Sequence, residues 1–281
     1  MSSTETPVLD KKSELIARVK TAIPAAIVVI AIMGYAPLFV LGFVVMIFAM
    51  VGTYEFDKMF LEQKIRLSLL AMMGSSFVIG GATVAGGAFG LTAAFLLSIL
   101  GLFFYYLLLL SPQNTEKLNL LGISLLGVIW ISWGFNHLTL IKDLPHGTSL
   151  LFLLVLSIWV SDIAAYFGGK AFGQKLLAPT ISPKKTIEGS ICGLLGSGIV
   201  AAVFSMIFLD TMGWILGGFV GIISAAVGQL GDLIESKIKR LCEVKDSGSI
   251  FPGHGGVLDR VDGFLTAAPV FYYFMLWFSR S

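Results

Sequence analysis

The chain has 281 residues, 56% of them hydrophobic and only 13% charged, with a mean hydropathy of +0.90 and a formal net charge of +2. A soluble domain of this length would be about a quarter charged, so composition excludes a soluble globular fold and gives no ground to expect a nucleic-acid partner. The apolar runs are continuous rather than alternating, which excludes a membrane β-barrel and leaves an all-α, polytopic integral membrane protein, because only helices then satisfy their own backbone in hydrocarbon.

Residues 1–19 read as a polar cytoplasmic tail, with 13–21 suited to a short amphipathic helix on the bilayer surface. The tail leads directly into apolar segments, so no cleaved signal peptide is expected. A span needs about 20 apolar residues. The sequence offers nine such segments, at 20–34, 36–53, 67–84, 88–110, 119–141, 148–169, 187–209, 213–236 and 262–279. The first is short and carries Pro24, which suits a tilted or re-entrant helix. Gly80, Gly81, Gly86 and Gly87 mark the turn between the third and fourth. No fixed-period repeat is visible, and residues 20–281 read as a single transmembrane domain.

Orientation follows from the basic residues. With nine spans, the N-terminus and the loops after spans 2, 4, 6 and 8 share one side. That side holds 17 of the 19 Lys and Arg residues, leaving Lys142 and Arg280 on the other. Such an excess marks the cytoplasmic face and predicts a cytoplasmic N-terminus. Cys192 and Cys242 make neither a disulfide framework nor a metal cluster and read as packing thiols.

Four constellations interrupt the apolar pattern. In span 6, Asp162 is flanked by apolar residues with Tyr166 one turn on; it needs a cation, a metal or a polar partner, and a structural ion pair with a lysine serves as well as a catalytic role. Between spans 6 and 7, Lys184 and Lys185 precede Thr186 and Glu188 at a helix start, a place that attracts anions; a plain basic loop explains it too. At the end of span 8, Asp232, Ser236 and Lys239 stand at i, i+4 and i+7 on one helical face, with Glu235 beside them. The acid there suits a metal and the other two suit phosphate oxygens, whereas Lys237 and Arg240 read as side chains reaching for the headgroups.

The densest constellation runs from Ser236 to Asp262. Lys239, Arg240, Lys245, Asp246, His254, Asp259, Arg260 and Asp262 fall within 24 residues, interleaved with glycine. Glycines at 253, 255 and 256 let the backbone approach an anion and present N–H groups to it. Asp259 and Asp262 are spaced i, i+3 and suit Mg²⁺, which takes one or two carboxylates plus substrate phosphates. For Asp262 the favourable helix dipole is an equal explanation, and His254 alone would read as a loop residue.

This run resembles the signature of the CDP-diglyceride synthetases, or phosphatidate cytidylyltransferases. Ser236, Lys239, Arg240, Lys245, Asp246, His254, Gly255, Gly256, Asp259, Arg260 and Asp262 match it at eleven fixed positions in 27 residues. Arg18-Val19 with Thr21-Ala22, Tyr54-Glu55, Asp162 with Ala165-Tyr166-Phe167, and Ser182-Pro183-Lys184-Lys185-Thr186 with Glu188-Gly189 also resemble the family. Residues 60–155 match only in hydrophobicity, and Lys170 stands where arginine is common.

The resemblance implies an inner-membrane enzyme, typically a homodimer, that makes CDP-diacylglycerol and pyrophosphate from CTP and phosphatidic acid at a cytoplasm-facing site open to membrane lipid. It implies Mg²⁺, with room for a second, monovalent cation such as K⁺. It places metal ligation at Asp232 and Asp259, with Asp262 a further candidate ligand, and catalytic headgroup contacts at Ser236 and Lys239. Substrate binding falls to Lys184, Lys185, Lys245, Asp246, His254, Gly255, Gly256 and Arg260. Two other readings remain: a CTP-dependent polyprenol or phytol kinase, and a transporter with Asp162 and Asp232 as coupling sites. The transporter reading leaves the His-Gly-Gly run and its aspartates unexplained.

Overall fold

A computed structural model describes residues 27–109, 115–250 and 255–279. Helix α1 covers 27–35, and Pro37, with φ −64° and an extended ψ of 158°, separates it from α2 (Leu38–Glu62). The next helix, α3 (Leu69–Leu109), has 41 residues; straight, it would reach about 60 Å, twice the hydrocarbon core. It reverses instead at Gly87, whose φ of 56° and ψ of −137° lie outside the helical region. The amide of Ser68 at its start donates to the Tyr106 hydroxyl near its end (3.2 Å), so α3 is an antiparallel pair. This is the turn the glycine cluster predicts.

Helix α4 (Thr115–Gly127), a π-helical turn (Val128–Trp133) and α5 (Gly134–Asp143) form one apolar rod. The wider turn presents Ser132, which joins Ser76 (2.6 Å), and Ser76 joins Thr53 (2.9 Å). This buried hydroxyl chain ties α2, α3 and the rod together where lipid supplies no hydrophobic drive for helix association. Helix α6 (Gly147–Phe172) leads into strands β1 (Leu176–Ala178) and β2 (Ser182–Thr186), then α7 (Ile187–Phe208), α8 (Gly213–Leu241) and α9 (Leu258–Phe278). The two strands pair antiparallel, Leu176 with Thr186 and Ala178 with Ser182. They are the one exception to the all-helical expectation among the described residues. Thr186 ends β2 and caps α7, its hydroxyl accepting from the Gly189 amide (3.1 Å).

Seven helical stretches are long and apolar enough to cross a membrane; the reversal in α3 makes eight rods among the described residues. Residues 1–26, including the tail and about half of the first predicted segment, lie outside them. Several helices outrun their apolar segments: α2 continues to Glu62, α8 to Leu241, and α9 begins at Leu258. Hydropathy marks what lipid tolerates, whereas Glu55 and Asp57 are buried against protein.

Gly87→Val should lower stability by about 1–3 kcal/mol, because a β-branched residue is strained at this φ. Thermal unfolding of the purified protein in detergent measures it, and an unchanged midpoint would refute the turn.

Candidate active site

The second half of α2, the end of α6, β2, the start of α7, the end of α8 and the start of α9 meet at one end of the bundle. Lys142 marks the opposite end, donating to the Met33 carbonyl (2.7 Å) and the Thr148 hydroxyl (2.6 Å). The 26-residue α6 separates the two ends by about 39 Å.

Helix α8 carries Asp232, Glu235, Ser236 and Lys239 on one stripe, as the 3.6-residue period dictates. The Ser236 hydroxyl donates to Asp232 Oδ1 (3.3 Å). Asp232, Glu235 and Asp262 of α9 each bring a carboxylate oxygen within 4.8 Å of the others. Lys185 of β2 forms an ion pair with Asp232 Oδ2. Asp162 lies within electrostatic reach of Asp232 and Lys185.

The convergence depends on how closely α8 and α9 cross. A Cβ on Gly231, next to Asp232, would lie 2.6 Å from the Asp262 carbonyl oxygen and would also collide with the Thr266 hydroxyl. Below, Gln229 donates to the Ser161 hydroxyl of α6 (3.1 Å) and the Ser190 carbonyl of α7 (3.3 Å), and the Ser190 hydroxyl donates to Gln229 Oε1. A Cβ on Gly193 would lie 2.7 Å from that amide nitrogen. Small residues thus let α6, α7 and α8 approach with their polar groups satisfied.

Lys239 sits between two acids, 2.8 Å from Glu235 Oε2 and 2.6 Å from Asp259 Oδ1. Asp259 Oδ2 accepts from the Ser247 amide (2.9 Å), the Ser247 hydroxyl (3.0 Å) and the Gly256 amide (2.8 Å). Asp259, expected on a metal, therefore has one oxygen on Lys239 and the other on the loop, while Glu235 stands with Asp232 and Asp262. Glu235 is 1% exposed, and its Oε1 has no hydrogen-bond partner among the described residues. An orphaned oxygen on a buried carboxylate of an acidic cluster fits a cation.

The two lysines expected together on phosphate separate: consecutive strand residues face opposite sides, so Lys185 turns to Asp232 and Lys184 is exposed. Lys245, Asp246 and Arg260 are exposed near the rim. Gly255 has φ +83°, and Gly256 gives its N–H to Asp259. Arg240 donates to the Ile181 carbonyl (3.4 Å), bracing the hairpin. Glu188 accepts from the Gln174 (3.0 Å) and Lys175 (3.2 Å) amides, holding the chain ahead of β1. His254 lies outside the described residues. Cys242 is buried, and burial pushes its thiol up to about 11, as fits a packing residue.

Sequence reasoning gave no role to two residues. Glu235 shares the α8 stripe, and its i, i+3 spacing from Asp232 was the available signal. Glu55 lies inside an apolar helix, where an acid is costly without a purpose; it is 1% exposed and accepts hydrogen bonds from α9.

Fold and site together define a polytopic helical membrane protein that gathers carboxylates and lysines at one end of its bundle, the side-chain chemistry of cation and phosphate handling. The chain belongs to the cytidylyltransferase family, which it matches over residues 16–278. It is 38% identical over 168 residues to the phosphatidate cytidylyltransferase of Bacillus subtilis (strain 168), covering 59% of this chain and 62% of the relative. It is 43% identical over 136 residues to those of Synechocystis sp. (48% and 46% covered) and Haemophilus influenzae (47% and 47%). The chain thus spans about half to three-fifths of the length of these relatives.

Gly231→Ala should force α8 from α9 and cost about 1–3 kcal/mol of stability by overpacking. Thermal unfolding in detergent checks it; wild-type stability would mean that the helices do not cross this closely.

Proposed function

We propose that the chain transfers CMP from CTP to phosphatidic acid, giving CDP-diacylglycerol and pyrophosphate. The observation that carries this reading is the union of an acidic cluster with Lys185 and Lys239 in a chain of this family. A phosphatidate oxygen attacks the α-phosphorus of CTP; a P–O bond forms as the bond to the β-phosphate oxygen breaks. The nucleophile is already an anion, so no general base is needed, and positioning with charge neutralisation does the work.

In this reading Asp232, Glu235 and Asp262 would hold Mg²⁺, and Asp259 would become a further ligand only when Lys239 leaves its Oδ1 for phosphate. The ion, when bound, supplies Lewis-acid neutralisation of phosphate charge, and the crowd of carboxylates leaves room for a monovalent cation such as K⁺. Lys239 and Lys185 exchange carboxylate partners for phosphate oxygens, with Ser236 beside them. Lys245, Arg260 and Gly255 line the nucleotide approach, and Lys184 meets anionic headgroups at the rim.

The remaining assignments follow the same reading. Residues 20–281 form one catalytic domain crossing the membrane about nine times, with a cytoplasmic tail at 1–19. The site faces the cytoplasm of an inner membrane, where CTP is, since the basic loops cluster at its end. The working form is a homodimer.

Purified protein supplied with phosphatidic acid, CTP and Mg²⁺ should release pyrophosphate and form CDP-diacylglycerol, identified by mass; release of CDP would mark a lipid kinase instead. Asp232→Asn and Asp259→Ala should each lower turnover about 100-fold or more with the fold retained. Near-normal turnover in either would remove that residue from the site. Glu235→Gln should raise the Mg²⁺ needed for half-maximal rate, and an unchanged Mg²⁺ dependence would exclude it as a ligand.

A further inference from the structure

Helix α9 begins at Leu258, and its N-cap residue, Val257, supplies no side-chain cap. Its first amides are taken by a carboxylate about 200 positions earlier: Glu55 Oε1 accepts from the Val257 amide (2.9 Å) and Oε2 from the Leu258 amide (2.9 Å). The Ser247 hydroxyl lies 3.3 Å from Glu55 Oε2 and 3.0 Å from Asp259 Oδ2, so one hydroxyl stands between the two acids. The chain closes tightly around this carboxylate: a Cβ on Gly248 or Gly256 would lie 2.5 or 2.6 Å from Glu55 Oε1.

We infer that Glu55 is a positioning residue for the site: it fixes the start and rotation of α9, and through Ser247 the orientation of Asp259, so that Asp259 meets Lys239 and Asp262 meets Asp232 and Glu235. The inference rests on the reading of that cluster as a cation site. Both carboxylate oxygens are used, each on a different amide, so an anion at a helix N-terminus is doubly suited. A neutral amide cannot replace it, since its NH₂ would face an N–H donor. Successive helical residues are turned by about 100°. A shift of α9 by one residue would therefore carry Asp262 off the shared face and Asp259 away from Lys239.

The test compares full-length wild type, Glu55→Gln and Ser247→Ala in detergent. It reads amide hydrogen exchange, Mn²⁺ binding by electron paramagnetic resonance without substrate, and the Mg²⁺ dependence of CTP turnover. In Glu55→Gln, exchange at 257–258 should rise about 10-fold or more while α6–α8 keep wild-type protection. Mn²⁺ affinity should fall about 10-fold or more, with a matching rise in half-saturating Mg²⁺. Ser247→Ala should weaken Mn²⁺ binding while the 257–258 amides stay protected. Unchanged exchange at 257–258, looser exchange with wild-type Mn²⁺ binding, or no Mn²⁺ binding by the wild type each overturns the inference. If Glu55→Gln loosens the whole bundle, Ser247→Ala decides, and wild-type Mn²⁺ affinity in it overturns the inference. Mn²⁺ binding without CTP turnover in the wild type would defeat the proposed reaction and leave this inference to the exchange and binding arms.

Discussion

The site depends on compensating negative charge at the edge of a low-dielectric body. Asp232, Glu235 and Asp262 hold oxygens within 4.8 Å of one another; at an effective dielectric near 20, each ionised pair at that distance repels by about 3.5 kcal/mol. Asp162 adds to the field and Asp259 stands across Lys239. Against these five acids the described structure sets two ammonium groups, on Lys185 and Lys239. Cations or protons must relieve this repulsion, which ties the architecture of the helix ends to binding chemistry. Lys239 already has the role of a cation, bridging two carboxylates from different helices.

Holding acids this close requires backbones that come closer than ordinary side chains permit. Gly231 and Gly193 occupy crossings where a methyl group would strike a carbonyl or an amide of the neighbouring helix. Lipid gives no advantage to apolar contact between helices, so close packing and the Gln229–Ser190–Ser161 hydrogen bonds carry the association. The same glycines that let α6, α7, α8 and α9 pack therefore set the distances within the site, and adding bulk there changes stability and chemistry together.

The apolar runs and the excess of Lys and Arg at one end were legible because lipid imposes them residue by residue. So was the reversal in α3, since only glycine adopts the backbone of Gly87 without strain. Asp232, Ser236 and Lys239 could be placed on one face by helical spacing alone. The division between Lys184 and Lys185 was not legible: it needs the two-residue period of β2, and a three-to-five-residue strand leaves no pattern long enough to distinguish it from a loop. The partners of Asp259 were hidden for a different reason. Ser247 and Gly256 reach it through a fold of the chain, and spacing along a sequence says nothing about which of two nearby acids a lysine will bridge.

Glu55 shows what a signature motif omits. Its hydrogen bonds to Val257 and Leu258 link α2 to the first turn of α9 across almost the whole chain. The glycines at 248 and 256, the second of which suggests an anion-binding backbone in the sequence, make room for this internal carboxylate. Part of the glycine pattern around the candidate site thus serves an anion the protein supplies itself, and the amides so engaged are withdrawn from any other anion. Among the lysines of β2 and α8, Lys185 and Lys239 face the acidic cluster that α8 and α9 build, so in the proposed reaction side-chain cations and a bound metal, rather than the first amides of α9, would meet phosphate charge.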